Sequence, residues 1–322
     1  MWAVGSAAAA VGAPTTPPKN ATLNHAPYAL PRRGARPDAP LRIGIADLIS
    51  TKPDSLTRRI FAAGVQAAAA RLGLAVDVVG FGVNLDETPR IWDLDWDFDG
   101  LIVSGSEPRS SSIGSEPILA FVERVLGECA ATSTMFSCQS SHAALHLLHG
   151  LSRRRLPVRR HGTFEHDVHP SGVLATGMSG AVRVPHSRWN TVPRDELSDA
   201  EVSIVLDCPD NEWQLATSRD GLKYVFVQGH PEYLPDTMAR EYRRELRRWI
   251  ADDTRAFPGI PMRYFRAEAQ QQLVEHAERI RVQRDPALLG EIPLAAGYAD
   301  VEADWSADSN RFFTNWLAAI RG

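Results

Sequence analysis

Three residues have the side chains and the sequence surroundings of a thiol-based catalytic site. Cys138 follows an apolar, β-branched run and precedes residues rich in Ala, Leu and His at helical spacing, which places it at a predicted strand-to-helix turn. A helix N-terminus behind a thiol favours the thiolate, which is the nucleophilic form of cysteine. The alternative is a buried structural cysteine, which the turn alone does not exclude.

His230 and Glu232 lie in the segment Gly229–Tyr233, directly after the predicted strand Lys223–Val227. Because the carboxyl ends of parallel strands meet at one edge of a sheet, His230 can reach a nucleophile at the end of a neighbouring strand. Glu232 follows two residues later and can orient the imidazole. The sequence therefore predicts a Cys–His–Glu triad with the histidine as general base.

The elements that must position these residues alternate between strands and helices, which predicts an α/β fold with a mainly parallel sheet flanked by helices. The predicted strands are Leu41–Leu48, Ala75–Phe81, Phe98–Gly105, the residues just before Cys138, Val202–Leu206, Trp213–Thr217 and Lys223–Val227. The predicted helices are 52–72 with Pro53 in its first turn, 116–129, the segment after Cys138, Thr237–Ile250, Glu268–Arg281 and Phe312–Ile320.

Composition limits the function classes. The chain has 322 residues, of which 44% are hydrophobic and 23% charged, as in ordinary globular proteins. Its net charge of −4 gives no nucleic-acid footprint, and no apolar run reaches the roughly 18–20 residues of a membrane span. Three scattered cysteines suit neither a disulfide framework nor a zinc site. We therefore expect a cytoplasmic protein with no metal and with no nucleic-acid or membrane partner.

Three regions are predicted along the chain. Residues 1–38 are rich in Ala, Pro, Gly and Thr, which predicts a disordered N-terminal extension. A signal peptide is the alternative, but the segment lacks a basic start and a Leu- or Phe-rich run. Residues 39–256 form the predicted catalytic domain, and 257–322 a C-terminal appendage that packs on the same domain. Within the catalytic domain, the loop 82–96 with Trp92 is predicted to cover part of the site.

Six short motifs follow one another at ordered spacing. They are Leu48–Lys52, Asp99–Gly105, Thr132–Cys138, Phe164–His166, Pro185–Arg188 and Gly229–Tyr233. With these motifs the chain resembles the homoserine O-acyltransferases of the succinyltransferase type, over about Leu41–Tyr264 and again at Phe312–Leu317. The resemblance implies a class I glutamine amidotransferase-like (flavodoxin-like) fold and transfer of an acyl group from acyl-CoA to the homoserine hydroxyl, in methionine biosynthesis. It also implies a homodimer with no bound cofactor.

The resemblance implies a catalytic role for five residues. Cys138 attacks the acyl-CoA thioester and holds the acyl group, and the amino-acid hydroxyl then attacks this acyl-enzyme. His230 is the general base for that hydroxyl, and Glu232 orients the imidazole. The oxyanion donors are expected to be the backbone N–H groups of Gln139 and, in the loop after the third predicted strand, Ser106.

Basic residues are expected to bind the substrates. Arg188 and Arg244 match the family's substrate-contacting arginines, whose planar guanidinium suits a carboxylate, and Lys52 matches a lysine near the acyl site. Solvated surface charge is the alternative for Lys52 and Arg244. Arg109 would attract the carboxylate of a succinyl group, whereas the nearby Glu107 would repel it.

A run of arginines after the predicted elbow helix has two interpretations. A solvated, basic turn region is the first, and contact with the phosphates of coenzyme A is the second. The run comprises Arg153, Arg154, Arg155, Arg159 and Arg160.

Departures from the family pattern leave the substrates open. Gln139 stands where the family has Trp, and the loop Gly105–Arg109 replaces a Gly-Ala-Pro sequence. The donor, succinyl-CoA or acetyl-CoA, is therefore not decided. Three further functions stay open: O-acylation of serine or another amino acid, hydrolysis by a glutaminase or γ-glutamyl hydrolase of the same fold, and metabolite or partner binding by a catalytically silent relative.

Overall fold

The computed structural model describes residues 39–87, 96–169, 172–208, 210–252, 254–290 and 305–322. The predicted extension 1–38 and Trp92 of the predicted covering loop lie outside the described residues. The predicted division into a catalytic domain, 39–256, and a C-terminal appendage, 257–322, stays a prediction.

Five strands form the parallel part of the sheet. They are β1 (Leu41–Asp47), β2 (Val76–Gly82), β3 (Gly100–Val103), β4 (Ser133–Ser137) and β9 (Tyr224–Val227). They pair in parallel in the order β2-β1-β3-β4-β9. β3 and β4 are buried at every residue, as expected for parallel strands covered on both faces. The predicted α/β class is confirmed, and the carboxyl ends of β3, β4 and β9 meet at one edge.

The sheet continues beyond β9 in antiparallel pairing. The added strands are β5 (Arg154–Val168), β6 (Ala181–Thr191), β7 (Val202–Cys208) and β8 (Glu212–Ser218). Within the described residues the full order is β2-β1-β3-β4-β9-β8-β7-β5-β6. The predicted basic turn over 150–160 is wrong, because most of that segment belongs to β5, which pairs along β6 with a bulge between Arg155 and Arg160. Its arginines obscure the strand pattern in the sequence, because Arg159 and Arg160 are partly buried beside acidic partners while Arg154 and Arg155 are exposed.

Helices cover both faces of the parallel part. They are α1 (Leu56–Leu72), α2 (Ile118–Glu128), α3 (Gln139–His149), α4 (Arg194–Ser198), α5 (Thr237–Ala251), α6 (Ala267–Gln283) and α7 (Ser306–Arg321). The prediction that the first helix begins at Lys52 with Pro53 in its first turn is wrong. The helix begins at Leu56 because the Ser55 hydroxyl accepts the Arg58 N–H at 3.2 Å and caps it.

The core lies on both sides of the sheet. On one side Phe61 of α1 and Trp316 of α7 pack against β1, and on the other side Phe121 of α2 packs against Phe136 of β4. A third cluster joins α5 and α6 around Tyr242. Burial of this apolar surface, at about 25 cal/mol per Å², holds the helices on the sheet and fixes its functional edge.

Among the helices of the described residues, none combines the length and apolar character that crossing a membrane requires.

Candidate active site

Cys138 lies between β4 and α3 in a strained backbone conformation. Its φ is 55° and its ψ −115°, a region that non-glycine residues rarely adopt. Its N–H donates to Val227 O at 2.7 Å, and its carbonyl accepts the N–H and the hydroxyl of Ser141 at 3.0 and 2.6 Å. These bonds tie the turn to β9 and to α3. The sharp turn presents the half-buried thiol at the edge of the sheet, as in a nucleophile elbow.

His230 and Glu232 lie beside this thiol. The His230 N–H donates to Pro185 O at 2.7 Å, and its Nδ1 lies 2.8 Å from Oε1 of the buried Glu232. The Tyr233 ring stacks on the imidazole, with 4.3 Å between ring centroids. The imidazole is hydrogen-bonded to Cys138. The structure thus brings together the three residues of the predicted triad, in the order thiol, imidazole, carboxylate.

The charge state of His230 follows from its neighbours. Burial disfavours the imidazolium, but the charges of Glu232 and Cys138, and hydrogen bonds to both, outweigh burial and raise the pKa of His230 well above its usual value. A protonated imidazole beside a sulfur nucleophile is a thiolate–imidazolium pair. Such a pair supplies the nucleophile and the proton donor that cleavage of a thioester requires.

Gly105 lies next to Cys138, and its lack of a side chain leaves space beside the thiol. A Cβ on Gly105 would lie 3.1 Å from Cys138 Cβ and 3.4 Å from the Gln139 nitrogen. Gln139 is the first residue of α3, so its N–H has no acceptor within the helix. Ser106 follows Gly105 and is half-buried. The predicted oxyanion donor Gln139 thus lies next to the nucleophile, and the second, Ser106, follows the glycine that contacts both.

Arg188 is engaged with groups of the protein. Its side chain is buried, its Nη2 pairs with Glu212, its Nη1 donates to Asn190 O at 2.8 Å, and its Nε donates to His186 Nδ1 at 3.1 Å. The guanidinium is thus enclosed and binds groups of the protein, and a contact between Arg188 and the amino acid stays a prediction. Arg188 supports the strand β6, from which Pro185 holds the catalytic histidine.

Arg109 also has a protein partner. Its guanidinium pairs with Asp86, and this hydrogen bond raises the pKa of Arg109. Glu107 in the same loop lies 3.1 Å from Arg248. The structure therefore does not support Arg109 as a free receptor for a succinyl carboxylate, and Glu107 is not a free repelling charge. Lys52, by contrast, is exposed at the carboxyl end of β1 and has no ion-pair partner among the described residues.

Sequence reasoning missed Glu241, a largely buried carboxylate on α5. It accepts the Ser187 hydroxyl at 2.5 Å and the Tyr233 hydroxyl at 2.9 Å, and it lies 3.7 Å from Arg244. Burial would raise its pKa, but the Ser187 hydrogen bond and nearby cations outweigh burial and lower it, so the group is ionised. The spacing of three residues between Glu241 and Arg244, which puts both on one helix face, was the available signal.

Arg244 completes a pair of opposite charges close to the catalytic histidine. It is half-exposed, whereas Glu241 is shielded, and Tyr233 connects Glu241 to the His230 ring. An ammonium and a carboxylate on one carbon carry the complementary charges. The pair is therefore complementary in charge to an α-amino acid.

The predicted solvated surface is wrong for three of the five arginines after α3. Arg153 is buried in an ion pair with Glu116, Arg160 lies 2.6 Å from Asp210, and Arg159 donates to Ser187 at 2.8 Å. The other two, Arg154 and Arg155, are exposed.

No group of three or more His, Cys, Asp or Glu side chains in the described part of the chain is placed to hold a metal ion. His142, on α3 next to the nucleophile, is engaged within the protein. His142 binds Gln228 at 3.0 Å, and burial lowers its pKa to about 3.

Comparison with known proteins agrees with this arrangement. A family model described as homoserine O-succinyltransferase matches residues 93–320. A homoserine O-succinyltransferase of Methylorubrum extorquens is 34% identical over 224 residues, which cover 69% of this chain and 68% of that protein. One from Rhodopseudomonas palustris is 30% identical over 224 residues, with coverages of 69% and 67%. Among solved structures, a glutamine amidotransferase of Thermotoga maritima aligns with 88% of this chain and 99% of its own, at 14% identity and a TM-score of 0.46.

The family model spans well over half of the chain and includes the elbow cysteine, the histidine–glutamate segment and the two charged residues of α5. The chain belongs to the homoserine O-succinyltransferase family.

Proposed function

We propose that this protein transfers the succinyl group of succinyl-CoA to the side-chain hydroxyl of L-homoserine through a thioester on Cys138. The observation that carries the proposal is the juxtaposition of two sites. A cysteine–histidine–glutamate triad lies next to the Glu241–Arg244 pair, which matches the charges of an amino acid. The relatives named homoserine O-succinyltransferase supply the choice of acceptor and donor.

In the first half-reaction the Cys138 thiolate attacks the thioester carbonyl carbon. The carbonyl oxygen becomes an oxyanion, which the backbone N–H groups of Gln139 and Ser106 stabilise. The bond to the coenzyme sulfur then breaks, and the His230 imidazolium gives its proton to the departing thiol. The products are coenzyme A and a thioester on Cys138, and His230 is left neutral.

In the second half-reaction the homoserine hydroxyl attacks the thioester carbon. Arg244 holds the α-carboxylate and Glu241 the α-ammonium, so the hydroxyl reaches the thioester carbonyl carbon in a fixed orientation. His230, neutral and oriented by Glu232, takes the hydroxyl proton. The bond to Cys138 breaks, and the thiolate–imidazolium pair is restored for the next cycle.

The distal succinyl carboxylate needs a cation, and we assign this role to Lys52. It lies at the edge of the sheet that carries the elbow, and it has no ion-pair partner among the described residues. Family membership alone supports three further parts of the proposal: coenzyme A as the sole carrier with no bound cofactor, a homodimer, and action in the cytoplasm.

A panel of two donors and two acceptors tests the proposal. Succinyl-CoA and acetyl-CoA are each combined with L-homoserine and L-serine. A thiol reagent measures the release of coenzyme A, and mass spectrometry measures the ester. O-succinylhomoserine as the dominant product is the expected result. Preference for acetyl-CoA or for serine would reject the donor or the acceptor, and release of ammonia from glutamine without any ester would reject acyl transfer.

A further inference from the structure

His161 is a buried histidine whose ring has no hydrogen-bond partner. It lies in β5 and is 5% exposed, and neither Nδ1 nor Nε2 has a partner among the described residues. Three other buried histidines, His142, His186 and His276, each bond at least one ring nitrogen to a group of the protein. Buried polar groups are nearly always paired, so an unpaired ring in an enzyme needs an explanation.

The position of His161 places its ring beside the proposed acceptor site. In the β5–β6 ladder it lies opposite Ser187, and directly opposite residues share one face of a sheet. The Ser187 hydroxyl donates to Glu241 on α5, so this face of the ladder is the one that meets α5. Arg159, two residues earlier on the same face, also donates to Ser187.

The ring is neutral and lies among charges. Burial, first, and then the charge of Arg159 lower the pKa of His161 to about 3; Arg244 acts in the same direction and Glu241 opposes it. A neutral imidazole carries one N–H donor and one bare acceptor nitrogen. The cluster holds two guanidinium groups and one carboxylate near this ring. Glu245 also pairs with Arg244, at 3.3 Å, so the charges of this cluster nearly balance without a substrate. A ring N–H donates most strongly to an anionic oxygen, which the guanidinium groups of Arg159 and Arg244 would also attract.

We propose that His161 determines acceptor specificity by donating its ring N–H to the α-carboxylate of the amino acid, alongside Arg244. This inference rests on the proposed function, because it assumes that an amino acid is the acceptor and that its α-carboxylate lies next to His161 in β5. It explains why the ring is unpaired in the protein alone, because its partner arrives with the substrate.

Three variants of the full-length protein test the inference with L-homoserine and L-homoserinamide, which carries a neutral amide in place of the carboxylate. His161→Phe keeps a planar ring without nitrogen, and His161→Asn and His161→Gln keep an N–H near the Nδ1 and Nε2 positions. The half-exposed His169, bonded to Asp207, gives the control His169→Phe. A hydrogen bond to a charged group corresponds to about 10-fold or more in binding.

In His161→Phe we expect the homoserine KM to rise by about 10-fold or more, while kcat/KM for homoserinamide changes little. One of the two amide variants should recover part of the loss, and His169→Phe should behave as wild type. Equal losses for both acceptors, or none for either, would overturn the inference. If His161→Phe does not fold, His161→Asn and His161→Gln decide. The quantity compared is kcat/KM for homoserine divided by kcat/KM for homoserinamide, and a wild-type value of this ratio in both variants overturns the inference as well.

The donor half-reaction separates this inference from the proposed function. Acylation of Cys138 by succinyl-CoA without amino acid should be the same in His161→Phe and in wild type. If wild-type protein itself were not acylated, the proposed function would fail, whatever the acceptor ratios. If wild type were acylated and the ratios did not change, only the role of His161 would fail.

Discussion

Glu241→Gln is the substitution that most sharply separates a binding role from a structural one. Ser187 donates to one carboxylate oxygen and Tyr233 to the other, so the new amide keeps the shape of the side chain and an acceptor for one of these hydroxyls, while it removes the negative charge. The ion pair with Arg244 spans 3.7 Å and 44% of the Arg244 side chain is exposed, so this pair contributes only about 0.5 kcal/mol to stability. The fold should therefore tolerate the change.

Binding of the amino-acid acceptor loses much more free energy than folding does. A charge-assisted hydrogen bond between the carboxylate and the substrate ammonium is worth roughly 1.5–3 kcal/mol. At 1.4 kcal/mol per decade, kcat/KM for homoserine should fall by roughly 10- to 150-fold. The donor does not use this contact, so the burst of coenzyme A release without amino acid should match wild type.

Stopped-flow detection of coenzyme A measures the burst and the full cycle on the same sample. Glu245→Gln is the matched control, because Glu245 lies on the same helix and also pairs with Arg244, at 3.3 Å. It should change kcat/KM by less than about 3-fold, as expected for a partly exposed ion pair. A loss in the burst as large as in the full cycle, or equal losses in both variants, would refute the placement of the ammonium at Glu241.

Four further outcomes are expected. Cys138→Ala should abolish acylation, with a loss of about 10³-fold or more; retention of a tenth of the turnover would remove Cys138 as nucleophile. Glu232→Gln should lower turnover at nearly unchanged acceptor KM, and an unchanged rate would exclude Glu232 from the triad. Gly105→Ala should slow acylation by about 10-fold or more, since its Cβ would approach Cys138 Cβ to 3.1 Å; full activity would contradict the oxyanion assignment. The two half-reactions should differ in pH dependence. Acylation uses the protonated imidazole, so it should persist to alkaline pH because the pKa of His230 is raised. Transfer to homoserine needs the neutral imidazole, so it should fall as pH is lowered through the pKa of His230 in the acyl-enzyme, which lies below the value in the free enzyme because the thioester removes the Cys138 charge. Identical pH profiles of the two single-turnover rates would contradict this.

The elbow and the histidine segment are the features that sequence predicts best. Cys138 follows an apolar strand and precedes a helix, and His230 follows another strand, so local patterns alone place both at strand ends. Parallel pairing of β4 with β9 then brings those ends together. The amphipathic helix α5 is equally evident, because its pattern is periodic over four turns.

Features that depend on distant partners are not evident from sequence. The burial of Arg188 is one example, because its partner Glu212 lies 24 residues away. The strand β5 resembles a surface turn in sequence, because the acidic partners of Arg159 and Arg160, Glu241 on α5 and Asp210, are distant along the chain. The role of Glu241 is not evident from sequence either, because its position among the arginines of α5 is typical of an exposed surface charge. Only the folded chain brings the Ser187 and Tyr233 hydroxyls to its carboxylate.

The central claim is that Cys138 carries the succinyl group between donor and acceptor, and rapid-quench intact mass spectrometry tests it most directly. Wild-type protein mixed with succinyl-CoA alone should gain the mass of one succinyl group within a single turnover, mapped to the peptide that contains Cys138. L-homoserine should then remove that mass as O-succinylhomoserine, at a rate that matches turnover. Turnover without any protein-bound succinyl group, or with the group on a residue other than Cys138, would contradict the account.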